Sequence, residues 1–99
     1  MASASDYMDN VKKYDPKASE DDVQKVVNYC GIALRSKDAS LVSCSDEAER
    51  NRVRDGYAAK KLGMSAAAAD KAIEAVCQQM KDERQKSRVT FLYLLGKHA

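Results

Sequence analysis

The run Val89-Thr90-Phe91-Leu92-Tyr93-Leu94-Leu95 decides the fold, because it is the one place where seven successive residues carry no charge and at least five are large. A segment that is apolar on every side must be surrounded by other elements if it is to stay out of water. Its β-branched and aromatic residues would suit a strand, but the chain has no second run of alternating apolar residues to pair with it, and an unpaired strand leaves its backbone groups unsatisfied. We therefore predict a short buried helix, with Ser87 as its N-cap and Gly96 as its end.

The composition of the chain is that of a helical protein. The chain has 99 residues, with one proline and four glycines; 44% of its residues are hydrophobic and 32% are charged. Helix breakers are scarce, and this balance of apolar and charged residues favours a folded chain over a disordered one. A chain of this length makes one domain. We predict a compact all-α domain of about five helices over residues 6–99, packed around the C-terminal helix, with residues 1–5 disordered.

Caps and apolar spacing predict two helices in the first third of the chain. Asp6 would cap a short helix that ends before Pro16, because proline disfavours helical geometry at the residue that precedes it. Ser19 would cap a second helix that runs to about Arg35 and has one apolar face, made by Val23, Val26, Val27, Cys30 and Leu34. Gly31 falls inside this pattern, so a kink or the close approach of another helix is expected there.

A polar connector and a third helix follow. Residues 37–45 form the connector, in which Leu41 and Val42 could make one irregular turn. Asp46 and Glu49 have the spacing of a capping box, so a third helix begins there and ends at Gly63. Its first half is so polar that we expect it to be mostly solvated, with an ion pair between Asp46 and Arg50.

The longest predicted helix begins at Ser65 and continues through roughly Arg84. Its apolar stripe alternates spacings of three and four and consists of Ala66, Ala69, Ile73, Val76 and Met80. The mixed-charge stretch over residues 81–88 is expected to be a solvated face. The pattern alone does not decide whether residues 65–95 form one helix or two.

The cysteines give no metal or disulfide signature. Cys30, Cys44 and Cys77 are an odd number at wide spacings, and the single histidine is His98. We expect free, reduced thiols that react slowly; Cys44 should react fastest, because Cys30 and Cys77 lie on apolar helical stripes. These residues supply no convincing set of four zinc ligands, so we predict neither a metal nor another cofactor.

Charge and hydropathy weigh against a nucleic acid or a membrane as the partner. The formal net charge is +2 and the pI is about 8.4, whereas domains that bind nucleic acid often have a pI above about 9. No stretch approaches the roughly 20 apolar residues that span a bilayer. The first residues lack the basic and apolar regions of a signal peptide, so we expect a cytoplasmic protein.

A helix-turn-helix is the alternative to a plain helical hairpin at residues 57–76. The layout is a helix, a Leu-Gly turn at Leu62, a capping serine at Ser65 and a second helix. In that arrangement Lys60, Lys61 and Lys71 would contact nucleic acid. The second helix, however, begins with four alanines and an aspartate, which lack the side chains that read base edges. We therefore favour the plain hairpin and predict that nucleic acid is not a partner.

We find no catalytic constellation in the sequence. There is no Gly-rich phosphate loop, HExxH pair or nucleophile elbow, and the histidine is next to the C-terminal residue. We predict a small soluble helical protein that is not an enzyme and acts as a self-associating or protein-interaction module; a thiol-based activity is the third alternative. A small domain covers one face of the apolar run more easily than both faces. A face left uncovered would be an exposed apolar patch, which a homodimer would bury. The interaction surface would then be formed by Phe91, Leu92, Leu94 and Leu95.

Four segments of the chain also carry a resemblance to a known family. They are residues 9–14, 31–35, 60–63 and especially 86–95, which reads Lys-Ser-Arg-Val-Thr-Phe-Leu-Tyr-Leu-Leu. With these segments the chain resembles a small bacterial family catalogued as domain of unknown function 2853, over nearly its whole length after Ser5. The resemblance implies an all-helical protein that can self-associate. It implies no activity, because the family has no assigned catalytic or binding residues.

Overall fold

The apolar run forms helix α5 (Arg88–Gly96) at the centre of the computed structural model of this protein, which describes residues 3–31, 41–83 and 85–98. Every residue from Val89 to Leu95 is at most 5% exposed in the single chain. The predicted buried helix is therefore confirmed. Ser87 precedes α5 as expected, but its side chain makes no capping hydrogen bond, and Gly96 is the last helical residue.

The other elements surround α5. In chain order they are a 3-10 helix (Ala4–Asp6), α1 (Met8–Tyr14), α2 (Glu20–Cys30), strand β1 (Leu41–Val42), α3 (Glu47–Val53), a π-helix (Arg54–Lys61), α4 (Ala66–Gln79) and strand β2 (Lys86–Ser87). Helices α1, α2, α4 and the π-helix all pack against α5. The predicted class, a compact and mostly helical domain around the C-terminal helix, is thus confirmed.

The two strands form a small antiparallel ladder that was not predicted. Leu41 lies opposite Ser87, and Val42 lies opposite Lys86. Val42 is buried, so the apolar part of the connector does face the core, but as a strand and not as an irregular turn. Residues 37–40 of the connector lie outside the described part of the chain.

The N-terminal region differs from the prediction in two ways. Of residues 1–5, which we expected to be disordered, residues 1–2 lie outside the described part of the chain, and residues 3–5 are ordered: Ser3 is the N-cap of the 3-10 helix, and Ala4 lies in that helix and is fully buried. Asp6 does not cap α1; its carboxylate accepts a hydrogen bond from the backbone N–H of Ser3 (3.0 Å). Helix α1 starts after Tyr7 without any side-chain cap.

Helix α2 begins where predicted and ends earlier. The hydroxyl of Ser19 accepts a hydrogen bond from the N–H of Asp22 (3.2 Å), so this cap is confirmed. The helix ends at Cys30, because Gly31 takes a positive φ of 49° with a ψ of −118°, a conformation that leaves the helical path and that glycine enters without steric penalty. The prediction that one helix passes through Gly31, with a kink or the close approach of another helix there, was therefore wrong; residues 32–35, which include Leu34, lie outside the described residues.

Residues 65–95 form two helices, and the predicted extension of α4 to Arg84 was wrong. Helix α4 stops at Gln79, and the following turn is tied to α1: Lys13 Nζ lies 2.7 Å from Asp82 Oδ2, and Asn10 Nδ2 donates to Glu83 Oε1 (2.9 Å). Asn10 Oδ1 also accepts a hydrogen bond from the Thr90 hydroxyl (2.5 Å). The mixed-charge stretch is therefore partly a polar joint between α1, the turn and α5.

The cap of α3 is confirmed and supports a first prediction. Asp46 Oδ1 accepts hydrogen bonds from the backbone N–H groups of Ala48 (3.0 Å) and Glu49 (3.4 Å). Asp46→Ala should lower the free energy of unfolding by about 1 kcal/mol, because both donors lose their acceptor. Urea denaturation followed by circular dichroism measures this loss. Asp46→Asn keeps an acceptor oxygen and should lose much less; equal losses for the two variants would show that the cap is not responsible.

Candidate functional site

The residues predicted to form a homodimer surface are core residues. Phe91, Leu92, Leu94 and Leu95 are 0%, 2%, 3% and 0% exposed. Neighbouring helices of the same chain cover both faces of α5, because α2 and α4 each contribute an apolar stripe. The prediction that these four side chains form an exposed interaction surface was therefore wrong.

The residues of the nucleic-acid alternative lie on the hairpin of the π-helix and α4. The turn is as predicted: Gly63 has a φ of 67°, and the Ser65 hydroxyl accepts a hydrogen bond from the N–H of Ala68 (3.2 Å). Lys60, Lys61 and Lys71 are all exposed. Of the three, Lys61 also lines a cleft on the side of the hairpin that faces α2 and α5.

This lysine cleft lies between α2, the π-helix and the C-terminal end of α5, and has a volume of about 260 Å³. Its lining consists of Asp22, Lys25, Val26, Tyr57, Lys61, Leu62, Tyr93, Gly96 and Lys97. Side chains as far apart in the chain as Asp22 and Lys97 thus meet because α5 brings its last turn against α2 and the π-helix. Lys25 and Lys97 were not singled out from the sequence, since isolated lysines on different helices carry no signal.

The lysine cleft has an excess of positive charge. Three lysines face one carboxylate, that of Asp22. Within the part of the chain that the structure describes, Lys25 and Lys61 make no ion pair or hydrogen bond. Lys97 is partly engaged: its Nζ lies 3.9 Å from Asp15 Oδ2 and 5.1 Å from the centre of the Tyr93 ring. The ammonium groups of Lys25 and Lys61 are therefore available to bind an anionic group of a ligand.

The floor of the lysine cleft is apolar and fixed. Val26, Tyr57 and Tyr93 are buried, and Leu62 packs on the core beside them. The Tyr93 hydroxyl donates a hydrogen bond to Asp15 Oδ2 (2.8 Å). Burial first, and then this hydrogen bond, raises the pKa of Tyr93 above that of a free phenol. The ring therefore stays uncharged at neutral pH and contributes apolar surface beneath the lysines.

A second cleft of about 230 Å³ adjoins the first and shares Tyr57 with it. The lining of this arginine cleft consists of Tyr29, Cys30, Arg52, Val53, Tyr57, Arg88 and Leu92. Tyr29 is 45% exposed, and its ring meets the Tyr57 ring edge-on, with 4.8 Å between the ring centres. We call the two clefts together the docking surface. It combines exposed aromatic area with cations on both sides of Tyr57.

The comparison with known proteins places the chain in a family. Residues 6–99 match the sequence model of a family described as a protein of unknown function (DUF2853). The chain belongs to this family. A search of curated proteins and a search of solved structures found no match. The family description names no activity, so a function for this DUF2853 member has to be inferred from its own side chains.

A buried ion pair holds Arg88, one of the residues that line the arginine cleft of this DUF2853 protein. The Arg88 guanidinium binds the carboxylate of Glu49, which is 8% exposed, and also donates to the carbonyl of Leu41 (3.3 Å). Arg52 Nη1 lies 3.3 Å from the second oxygen of Glu49. The expectation that the first half of α3 is mostly solvated was therefore wrong at Glu49, which ties α3 to α5.

The ion pair predicted between Asp46 and Arg50 is not formed. Arg50 Nη2 instead donates to Glu74 Oε2 on α4 (2.8 Å), while Asp46 is occupied by the helix cap. A contact between helices has replaced the local one. It links α3 to α4.

The cysteines of this DUF2853 protein are not three free thiols. Cys44 and Cys77 form a disulfide, with their Cα atoms 5.9 Å apart, whereas Cys30 is free and buried. The expectation of free thiols at Cys44 and Cys77 was wrong because the fold sets the turn after β1 against α4. Burial raises the pKa of Cys30 to about 11, and the positive charge of Arg88 opposes this shift.

Neither a metal centre nor a membrane span is found in the described parts of this family member. Over residues 3–31, 41–83 and 85–98, no group of three or more His, Cys, Asp or Glu side chains could hold a metal ion. No helix in the same ranges is long and apolar enough to cross a bilayer.

Proposed function

We propose that this protein is a cytosolic protein-interaction module, without catalytic activity, that binds an acidic segment of a partner protein on the docking surface. The observation that carries this proposal is the apolar floor of the lysine cleft beneath Lys25 and Lys61, which have no counter-ion among the described residues. An acidic segment would supply carboxylates to the lysines and an apolar side chain to the floor. Such a match of charge and shape is how interfaces select their partners.

The composition and size of the site support a protein partner. Tryptophan, tyrosine and arginine are enriched among the residues that carry binding energy at protein interfaces, and the arginine cleft is lined by Tyr29, Tyr57 and Arg52. Sites for drug-sized molecules occupy about 300–1,000 Å³. The lysine cleft, at about 260 Å³, is smaller and suits one anchoring side chain.

The geometry of the π-helix brings Tyr57, Lys61 and Leu62 to the lysine cleft. The N–H of Leu62 donates to the carbonyl of Tyr57, five residues earlier (3.0 Å). In this wider turn, residues four and five apart lie on one face, so Tyr57, Lys61 and Leu62 all line the lysine cleft. π-Helical turns are rare and occur frequently at functional sites, which supports a binding role for this segment.

A second prediction tests the docking proposal with a defined probe, a fluorescein-labelled peptide of alternating Glu and Leu residues. Lys25→Glu combined with Lys61→Glu should weaken its binding about tenfold or more in an anisotropy titration, because two attractive contacts become repulsive. The matched control is Lys60→Glu combined with Lys71→Glu, which makes the same charge change at exposed positions outside the cleft. The control should bind nearly as well as the unchanged protein.

Other outcomes would contradict the proposal. Equal weakening in both double variants would mean that only the overall charge attracts the probe. Tighter binding of duplex DNA than of the peptide, lost in the Lys60 and Lys71 variant, would favour the helix-turn-helix alternative. A dimer mass by light scattering that falls to a monomer in the Lys25 and Lys61 variant would make a second copy of this chain the occupant.

A further inference from the structure

We infer that the disulfide between Cys44 and Cys77 is a thiol-controlled clamp that keeps the docking surface assembled, and that reduction by a dithiol weakens partner binding. This inference rests on the proposed function, since it concerns the regulation of the same site.

The disulfide closes a covalent ring that contains part of the docking surface. The ring spans residues 44–77 and includes α3, the π-helix and most of α4. Arg52, Tyr57 and Lys61 therefore belong to the ring, whereas Lys25, Tyr29 and Lys97 lie on α2 and at the end of α5. Each cleft is assembled from residues inside and outside the ring and depends on their relative position.

Without the disulfide, non-covalent contacts alone would hold this ring segment. These are the packing of α4 and the π-helix on α5, the Glu49–Arg88 ion pair and the two-residue ladder that precedes α3. Between the π-helix and α2, the edge-on contact of Tyr29 with Tyr57 joins the segment to the other part of the docking surface. A disulfide restricts mainly the unfolded states of the segment that it closes, so its loss favours local opening of that segment. Reduction should therefore let the π-helix open away from α2 more often, while α5 stays buried.

The disulfide is accessible from the side of Cys44. Cys44 is partly exposed and lines two clefts of about 420 and 380 Å³, whereas Cys77 is only 8% exposed. A thiolate of the reductant would attack Cys44 Sγ, and the electron pair of the broken S–S bond would leave on Cys77 Sγ, which takes up a proton. The second thiol of the reductant then displaces Cys44 Sγ, which is protonated in turn. The protein gains two thiols, and the dithiol becomes a disulfide.

The third cysteine does not take part in this exchange. Cys30 is buried, and its thiol stays protonated at neutral pH because burial raises its pKa to about 11. A protein of the reducing cytosol that forms a disulfide commonly uses it transiently, for redox sensing or catalysis. The cytosolic location proposed above thus agrees with a switch at Cys44 and Cys77.

The test compares the oxidised protein with the same protein reduced by dithiothreitol. Native alkylation and mass analysis should count accessible thiols at Cys44 and Cys77 only after reduction. Affinity for the Glu/Leu peptide should fall about tenfold on reduction and return on reoxidation. The double variant Cys44→Ser/Cys77→Ser should bind the peptide as weakly as the reduced protein does, and dithiothreitol should not change its affinity. The affinity of Cys30→Ser should fall on reduction, as that of the unchanged protein does.

Amide hydrogen exchange separates failure of this inference from failure of the docking proposal, because it needs no probe. On reduction, exchange should accelerate about tenfold over residues 54–62 and stay unchanged in α5. Equal affinity and equal exchange in both states would overturn the clamp and leave the docking proposal standing. Equal acceleration in α5 would mean general unfolding and would also overturn the clamp. Absence of peptide binding to the oxidised protein would overturn the docking proposal, and exchange over residues 54–62 would still decide whether the disulfide restrains the π-helix.

Discussion

Replacement of Phe91 by alanine is expected to lower the free energy of unfolding by about 3 to 5 kcal/mol, one of the two largest effects we predict. Phe91 is fully buried on the central helix, and neighbouring helices that are themselves fixed by caps and polar contacts cannot close over the space it leaves. Chemical denaturation followed by circular dichroism measures this loss.

Two controls accompany the Phe91 variant. Phe91→Leu keeps most of the buried volume and should lose only about 1 kcal/mol. The unfolding midpoint of the unchanged protein should not depend on protein concentration, because α5 is covered within one chain. A midpoint that rises with concentration would show that a second copy contributes to the folded state.

Arg88→Met is expected to lower the free energy of unfolding by about 3 kcal/mol, the second large effect. The side chains of Arg88 and Glu49 are only 18% and 11% exposed, so the variant leaves a buried carboxylate with the weaker partner Arg52. Removal of one member of a buried pair is costly because the remaining charge has lost its solvation. Urea denaturation at neutral pH measures the effect.

Two further variants serve as controls for Arg88→Met. Glu49→Leu in the Arg88→Met background should recover much of the loss, since it removes the unpaired charge. Arg50→Met breaks the Glu74 pair, whose side chains are 32% and 52% exposed and thus much better solvated, and should leave the midpoint nearly unchanged. If Arg50→Met destabilised the protein as much as Arg88→Met, burial of the Glu49 pair would not be the cause.

The sequence predicted the features of this fold that are local in the chain. The run from Val89 to Leu95 has no strand partner and therefore became a helix. Ser19, Asp46 and Ser65 cap their helices because a cap needs only a side-chain oxygen and a backbone N–H two or three residues ahead. Gly31 was ambiguous, because a glycine within an apolar pattern can sit inside a helix or end it.

Features that join distant residues could not be predicted. Glu49 and Arg88 are 39 residues apart, and Cys44 and Cys77 are 33 apart, so nothing in either neighbourhood indicates the partner. The docking surface draws on α2, the π-helix and α5, and Lys61 was named from the sequence only for a different partner. The π-helix could not be predicted, because the spacing of Tyr57, Lys61 and Leu62 fits one face of an α-helix equally well.

The order of the elements along the chain has a bearing on how this protein folds as it is made. The helix on which the others pack, α5, comes after all of them. Until residues 88–96 have left the ribosome, the inward faces of α1, α2 and α4 have no common surface to cover. Helices that form earlier can make only their contacts with one another, so the core closes late and through pairings between distant parts of the chain. During synthesis the unfinished chain therefore exposes apolar stripes for longer than a protein whose central helix is made first.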